Sequence, residues 1–335
     1  MKKNIPNLSL YVIIVFILVI MALLNPTRFF SINNFSSMAY QLPFLAFLSM
    51  GQMVTILSGG INLAIIATAN FTGIITAILL NMLSHGNPTG ASTAVIIVSI
   101  LGGIIGALLA GALSGYLIGY LRVPDILATL GVMILLNGVN IILTKGYTIT
   151  GFPDSIIAIG NGTFCGVPIP FFIFLIFTII FGIVLKKTVF GYSLYMLGSN
   201  YKAAKFSGVG VSAVILQEYM FSSLFAAMTA FIMMGQLNSV KANYGDSYLL
   251  VSILACFLGG VNPLGGFGNI SGLLISVLIL QMVSSGVNLL MMDPFFIRAM
   301  WGFIMIAIIF INYYNEKKVS LGNIKLPKTI SAKDS

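Results

Sequence analysis

The chain has little of what enzymes work with. Two cysteines, one histidine and seven acids are spread over 335 residues. Cys165 and Cys256 are too few and too far apart for a metal cluster or a disulfide framework. The lone imidazole, His85, sits in the loop-like stretch SHGNPTGAS, where a structural role outweighs a catalytic one. No nucleophile–base set is visible, so no catalytic residue and no metal ligand is assigned. No Gly-Lys dipeptide occurs anywhere, which excludes the phosphate-cradling loop of a nucleotide-driven pump on this chain. Charge is scarce as well: 7% of residues, against about 25% in soluble proteins. The apolar stretches do not alternate with polar residues, which excludes a closed membrane barrel.

Apolar residues fill the space instead, at 59% of the chain. A helix needs roughly 20 of them to cross the hydrocarbon core. Segments near 8–25, 39–58, 61–82, 93–121, 125–144, 167–185, 214–236, 249–262, 268–290 and 294–313 qualify, and glycine pairs interrupt the pattern beside the third and the eighth. The reading is an all-α, polytopic membrane helix bundle of about ten transmembrane helices. It divides into a transmembrane domain, 1–314, and a basic tail, 315–335, too poor in apolar residues to pack.

The net charge of +9 raises nucleic acid as a partner, but its placement points to the lipid bilayer. Threading ten helices from an internal N-terminus puts twelve of the sixteen cations inside: Lys2, Lys3, Arg122, Lys186, Lys187, Lys202, Lys205 and five in the tail. Arg28, Lys145 and Lys241 fall outside, and Arg298 lies within the last helix. This asymmetry follows the positive-inside rule and places both termini in the cytoplasm. The first segment ends in MALLNPTRFF without a small-residue cleavage site, as a retained helix does.

Small residues carry a second pattern. Gly103, Ala107, Gly111, Gly115 and Gly119 recur every four residues, flanked by Gly102, Gly106, Ala110 and Ser114. Such a stripe predicts a helix buried in the bundle, with backbones in close approach. Ser58-Gly59-Gly60-Ile61-Asn62-Leu63 reads equally as a helix break beside a translocation path or as a short turn. The later cluster, Gly259-Gly260 to Gly265-Gly266, reads as a turn. Gly59, Gly60 and Asn62 are candidates for the path, with Asn137, Asn140 and Asn288 beside them. An amide offers donor and acceptor to hydroxyl-rich cargo, although interhelical bonding is its commoner use.

The source of energy follows from what the acids do not do. Asp154, Asp246 and Asp293 read as loop residues, and Glu316 and Asp334 lie in the tail. Asp125 sits at a membrane edge, and Glu218 about one turn into the seventh segment. None reaches the midplane, which weakens an ion-coupled secondary transporter. A sodium site of carbonyls and hydroxyls keeps that alternative open. An acidic ring or filter, as a channel uses, is not seen. What stands out is a polar island over 186–212, KKTVFGYSLYMLGSNYKAAKFSGVGVS, with four lysines and no acid. Within it Tyr201 to Phe206 favours a helix, bounded by Gly198-Ser199-Asn200 and Ser207-Gly208. This predicts a cytoplasmic coupling helix that a separate energy-supplying subunit grips. Gly198, Asn200, Lys202, Ala203, Ala204, Lys205, Ser207 and Gly208 are the residues expected to carry the coupling.

Several motifs, in order along the chain, resemble one family. Ser58-Gly59-Gly60-Ile61-Asn62-Leu63 is similar to its Gly-Gly-Ile-Asp-Leu-Ser. Ile126-Leu127-Ala128-Thr129-Leu130-Gly131 is similar to Phe-Ile-Ala-Thr-Leu-Gly, and Thr144-Lys145-Gly146 to Thr-Gly-Gly. Gly160-Asn161-Gly162 and Gly166-Val167-Pro168-Ile169-Pro170 fit its external loop. Thr188 to Tyr192, Leu197 to Asn200, Ala203-Ala204 and Ser207-Gly208 fit its cytoplasmic coupling segment, and Leu258-Gly259-Gly260 with Leu264-Gly265-Gly266 its late glycine motif. The family is that of the permease subunits of ATP-binding-cassette (ABC) importers, in the ribose/xylose/galactose group. The resemblance implies an ABC importer permease fold in the cytoplasmic (inner) membrane and a small hydrophilic cargo, a monosaccharide foremost. It implies a partner ATPase that holds ATP and Mg, no cofactor on this chain, an extracytoplasmic solute-binding protein, and a second permease chain in a homodimer or heterodimer. Asn62 and Ala64 stand where the family has Asp and Ser, and Ile66 where Gly is common. Leu249 and Val251 replace two acids, so the cargo does not follow from the resemblance.

Overall fold

The computed structural model describes residues 8–293, 295–297, 299–307 and 310. Lys2, Lys3, Arg298, Glu316, Asp334 and the basic tail lie outside the described residues. The chain divides into two compact units, Met1–Met292 and Asp293–Ser335. Of the second, Phe295–Ala307 is an apolar helix.

In chain order the first unit consists of α1 (Leu8–Leu24), α2 (Pro26–Phe29), α3 (Ile32–Ser58), α4 (Ile65–Leu83), α5 (Thr93–Gly119), α6 (Asp125–Thr144) and β1 (Ile149–Thr150). There follow α7 (Asp154–Asn161), the hairpin strands β2 (Thr163–Phe164) and β3 (Val167–Pro168), α8 (Ile169–Lys187), α9 (Val189–Ser199) and α10 (Tyr201–Phe206). The unit ends with α11 (Val211–Leu237), β4 (Ser239–Val240), α12 (Tyr248–Leu258) and α13 (Ile270–Leu289). β1 pairs antiparallel with β4, and β2 with β3.

This is a polytopic helical membrane bundle. Among the described residues, seven helices are long and apolar enough to span: α3, α4, α5, α6, α8, α11 and α13. The expected count of about ten is not reached by length. The segment expected over 249–262 is the clearest case. Its helix, α12, has 11 residues, about 17 Å at 1.5 Å each, against a core of about 30 Å. Hydropathy counts apolar side chains but does not see where the backbone breaks. Here it leaves the helix after Leu258, with Gly260, Gly265 and Gly266 at φ +78°, +85° and +80°. Asp154, read from sequence as a loop residue, instead opens the eight-residue α7 behind Pro153.

The core forms around α11, which packs against α3, α4, α5 and α7. The small-residue stripe of α5 makes one of these packings and a further one with α4. A Cβ at Gly111 would lie 2.6 Å from the Tyr219 carbonyl oxygen, at Gly115 2.8 Å from Leu216 Cα, and at Gly119 2.7 Å from the Ser212 oxygen, all on α11. Gly103 meets Thr72 and Thr76 of α4 in the same way. The opposite face, with Leu101, Ile105 and Leu109, is exposed, so α5 is buried on one side only. Aromatic rings lock α8 to the core: Phe47 of α3 meets Phe177 edge-on at 5.8 Å, and Phe181 meets Phe225 of α11 at 5.0 Å.

Candidate functional site

The polar island folds into α9 and α10, and local chemistry sets both. Thr188 Oγ1 accepts from Gly191 N at 3.2 Å and caps α9. Asn200 Oδ1 accepts from Ala203 N at 3.0 Å and caps α10. Gly208, at φ +81°, closes α10: Gly208 N donates to Lys205 O at 3.2 Å and Val209 N to Ala204 O at 3.2 Å. Asn200 and Gly208 therefore shape the helix. Lys202, Ala203, Lys205 and Ser207 are exposed, and so are Tyr201 and Phe206, the latter at 89%. Ala204 is fully buried, so its side chain anchors α10 and cannot meet a partner.

Gly198 ties this unit to the bundle. A Cβ there would collide with the Leu57 carbonyl oxygen at the end of α3 and with Gly266 N. Gly266 N itself donates to Leu57 O at 2.9 Å. Gly59, at φ +97°, terminates α3: Gly59 N bonds Ile56 O and Gly60 N bonds Thr55 O. The two glycine clusters and the island, far apart in sequence, thus converge at one end of the bundle. Tyr195 of α9 adds a bond from its hydroxyl to Gly268 O at 2.9 Å, and burial pushes its phenol pKa up.

Beside this junction lies a cavity of about 250 Å³, lined among others by Ser58, Gly59, Gly60, Arg122, Asp125, Tyr201 and Glu218. Glu218 is 2% exposed and sits seven residues into α11, about two turns. It lies deeper than expected, because α11 begins at Val211, three residues before the apolar run does.

The path candidates do not form one cluster. Asn62 is buried, with both polar atoms of its amide bonded: Nδ2 donates to Ser222 Oγ of α11 at 3.0 Å and Oδ1 accepts from Ala64 N at 3.0 Å. Gln52, overlooked in the apolar run of α3, donates from Nε2 to Asn62 O at 2.7 Å. Asn140 Nδ2 donates to Ala67 O at 3.2 Å, while Asn140 Oδ1 and Asn137 Oδ1 are buried acceptors with no partner. Asn70 of α4, also overlooked, donates from Nδ2 to Ala242 O and Tyr244 O and leaves its own Oδ1 unpaired. Asn288 is exposed at the other end: it closes α13 next to Ser285, which donates to Asn34 near the start of α3.

Comparison with known proteins fits this arrangement. The chain is 31% identical over 314 residues to the ribose import permease protein RbsC of Bacillus subtilis (strain 168), covering 93% of each chain. It is 28% identical over 290 residues to the L-arabinose transport system permease protein AraH of Escherichia coli (strain K12), covering 87% of this chain and 85% of that one. No solved structure matches. Residues 34–311 match the family described as "Branched-chain amino acid transport system / permease component", and with most of its length inside that match the chain belongs to this family of transport permeases.

Proposed function

We propose that the chain is the membrane-spanning permease subunit of an ATP-driven importer for a small, uncharged, hydroxyl-rich solute, a monosaccharide such as ribose, xylose or galactose. The observation that carries this is α10: a short, exposed, cationic helix rooted by Gly198 against the end of α3. A partner ATPase holding ATP and Mg grips residues 201–207 there, and its motion reaches the bundle through that root. Arg122, Lys186, Lys187, Lys202 and Lys205 belong to this end and Arg28, Lys145 and Lys241 to the other, which supports a cytoplasmic island. A second permease chain completes the importer, because an engine with two ATPase domains needs two docking helices. An extracytoplasmic solute-binding protein delivers cargo at the opposite end.

The buried polar groups support this cargo class. Along α4 and α6 these are uncharged amides, with unpaired acceptors on Asn70, Asn137 and Asn140. Hydroxyl donors satisfy such acceptors, whereas an amino acid would bring two charges that need counter-charges. The relatives named for ribose and arabinose agree with this more than the family's description does. In this reading the path runs along α4 and α6, and Gly59, Gly60 and Asn62 form its wall at the island end.

Co-purification and uptake test the proposal. Lys202→Glu with Lys205→Glu, or Ala203→Arg alone, removes the ATPase and ATP-driven uptake while the chain still inserts. Lys145→Glu, at the other end, leaves both intact. Unchanged ATPase co-purification with the island variants refutes the docking site. Uptake that needs no ATPase and follows an ion gradient decides for an ion-coupled secondary transporter.

A further inference from the structure

We propose that the cavity beneath the coupling helix is a cation site, taking one hydrated divalent ion between Glu218 and Asp125. The cavity borders the end of α3, the α5–α6 turn, α10 and α11, so an ion there ties the coupling helix to the bundle. Its polar walls include two carboxyl groups, a serine hydroxyl and one guanidinium. Glu218 is 2% exposed, and its Oε2 has no hydrogen-bond partner. Leaving a buried carboxylate oxygen unpaired is costly, and proteins seldom do so without a function. Ser58 donates its hydroxyl proton to Thr55 O at 2.8 Å and its hydroxyl also interacts with the Glu218 carboxyl, so only Oε2 of that carboxyl is left unpaired. A Cβ at Gly60 would lie 3.2 Å from Asp125 Oδ2 and 2.8 Å from Tyr219 Oη, itself buried without a partner. Glycine at 60 therefore leaves these two oxygens uncrowded.

Arg122 also lines the cavity, one guanidinium beside two carboxyl groups. Among the described residues no group of three or more His, Cys, Asp or Glu comes together, so a zinc-type cage is not formed. Two carboxylates, a hydroxyl and water instead suit a hard ion such as Mg²⁺ or Mn²⁺, which is commonly held by one or two carboxylates and keeps several waters. At about 30 Å³ per water, the cavity of about 250 Å³ has room for that shell. The site does not depend on the ATPase reading, since the ion binds the permease chain itself.

The test uses the full chain in nanodiscs of zwitterionic lipid, with Mn²⁺ as the probe, read by electron paramagnetic resonance. We expect one Mn²⁺ per chain, displaced by Mg²⁺ and not by choline at equal ionic strength. Glu218→Gln and Asp125→Asn each weaken binding roughly 10- to 100-fold, whereas Asp154→Asn on α7 does not change it. Absence of saturable Mn²⁺ binding to the unaltered chain at millimolar concentration, as a proton held on Glu218 would give, overturns the proposal. So does unaltered binding in both carboxylate variants. Should Glu218→Gln fail to fold, Asp125→Asn decides alone, because Asp125 opens a helix at the membrane edge and tolerates an amide.

Discussion

At the end of the bundle that carries α7, side chains reach across and bond to backbone. Asn161 Nδ2 donates to Gly235 O at 3.0 Å, Gln236 Nε2 to Tyr40 O at 2.6 Å, and Asn238 Oδ1 accepts from Phe152 N at 2.9 Å. At the island end, α9 meets the end of α3 and the glycine loop backbone to backbone, and two buried oxygens beside that contact have no partner. The first end is held by several polar ties, each worth about 1 kcal/mol. The second depends on the absence of a few Cβ atoms, with Tyr195 Oη to Gly268 O as a polar tie from α9. That difference suits one fixed end and one end whose geometry can shift.

The largest effect expected from breaking this comparison is at Gly198. Valine there drives side-chain carbon into the Leu57 oxygen and Gly266 N, backbone atoms with no rotamer to retreat into. We expect a loss of about 3 kcal/mol or more, seen as a much lower unfolding temperature in detergent and as a detached α9–α10 unit. Gly131→Ala on α6, where a Cβ meets nothing within 4 Å, is the matched control. It gains up to about 1 kcal/mol from helix propensity.

Asn62→Leu comes next, at about 2 kcal/mol, because it leaves Ser222 Oγ and Ala64 N without their buried partner. Its uptake defect then accompanies a lower unfolding temperature. A large loss of uptake at unaltered stability would instead make Asn62 a cargo-contacting group. Asn161→Ala, at the opposite end, costs about 1 kcal/mol. Retained uptake is expected there, since the other ties persist.

Much of this was legible in the chain. Asn200, Gly198 and Gly208 announced a bracketed helix, and the four-residue glycine spacing announced the packing face of α5, because both signals are local. Three things were not. That Gly198 meets Gly265 and Gly266 is a contact between distant segments, and no local pattern encodes it. That Ala204 is buried while Ala203 is exposed depends on how a six-residue helix rolls onto its neighbours. Hydropathy could not separate α12 from a full span, because the difference is a backbone turn at Gly260 and not a change of polarity.

The smallest effect sharpens the comparison at the island end itself, where Tyr195 supplies one polar tie to the glycine loop. Tyr195→Phe removes the bond to Gly268 O and costs about 1 kcal/mol or less near neutral pH. The pH dependence shows whether the phenol is held as described. Burial raises its folded pKa, so below the unfolded value of about 10 both states keep the proton and the contribution is complete. Above that pH the unfolded chain ionises first, and the contribution fades as pH climbs toward the folded value. The stability gap between the unaltered chain and Tyr195→Phe should therefore be constant up to about pH 10 and narrow beyond it. A gap that widened with alkali would mean that the hydroxyl ionises more easily in the fold than out of it. Tyr195 would then not be the buried tie between α9 and the loop.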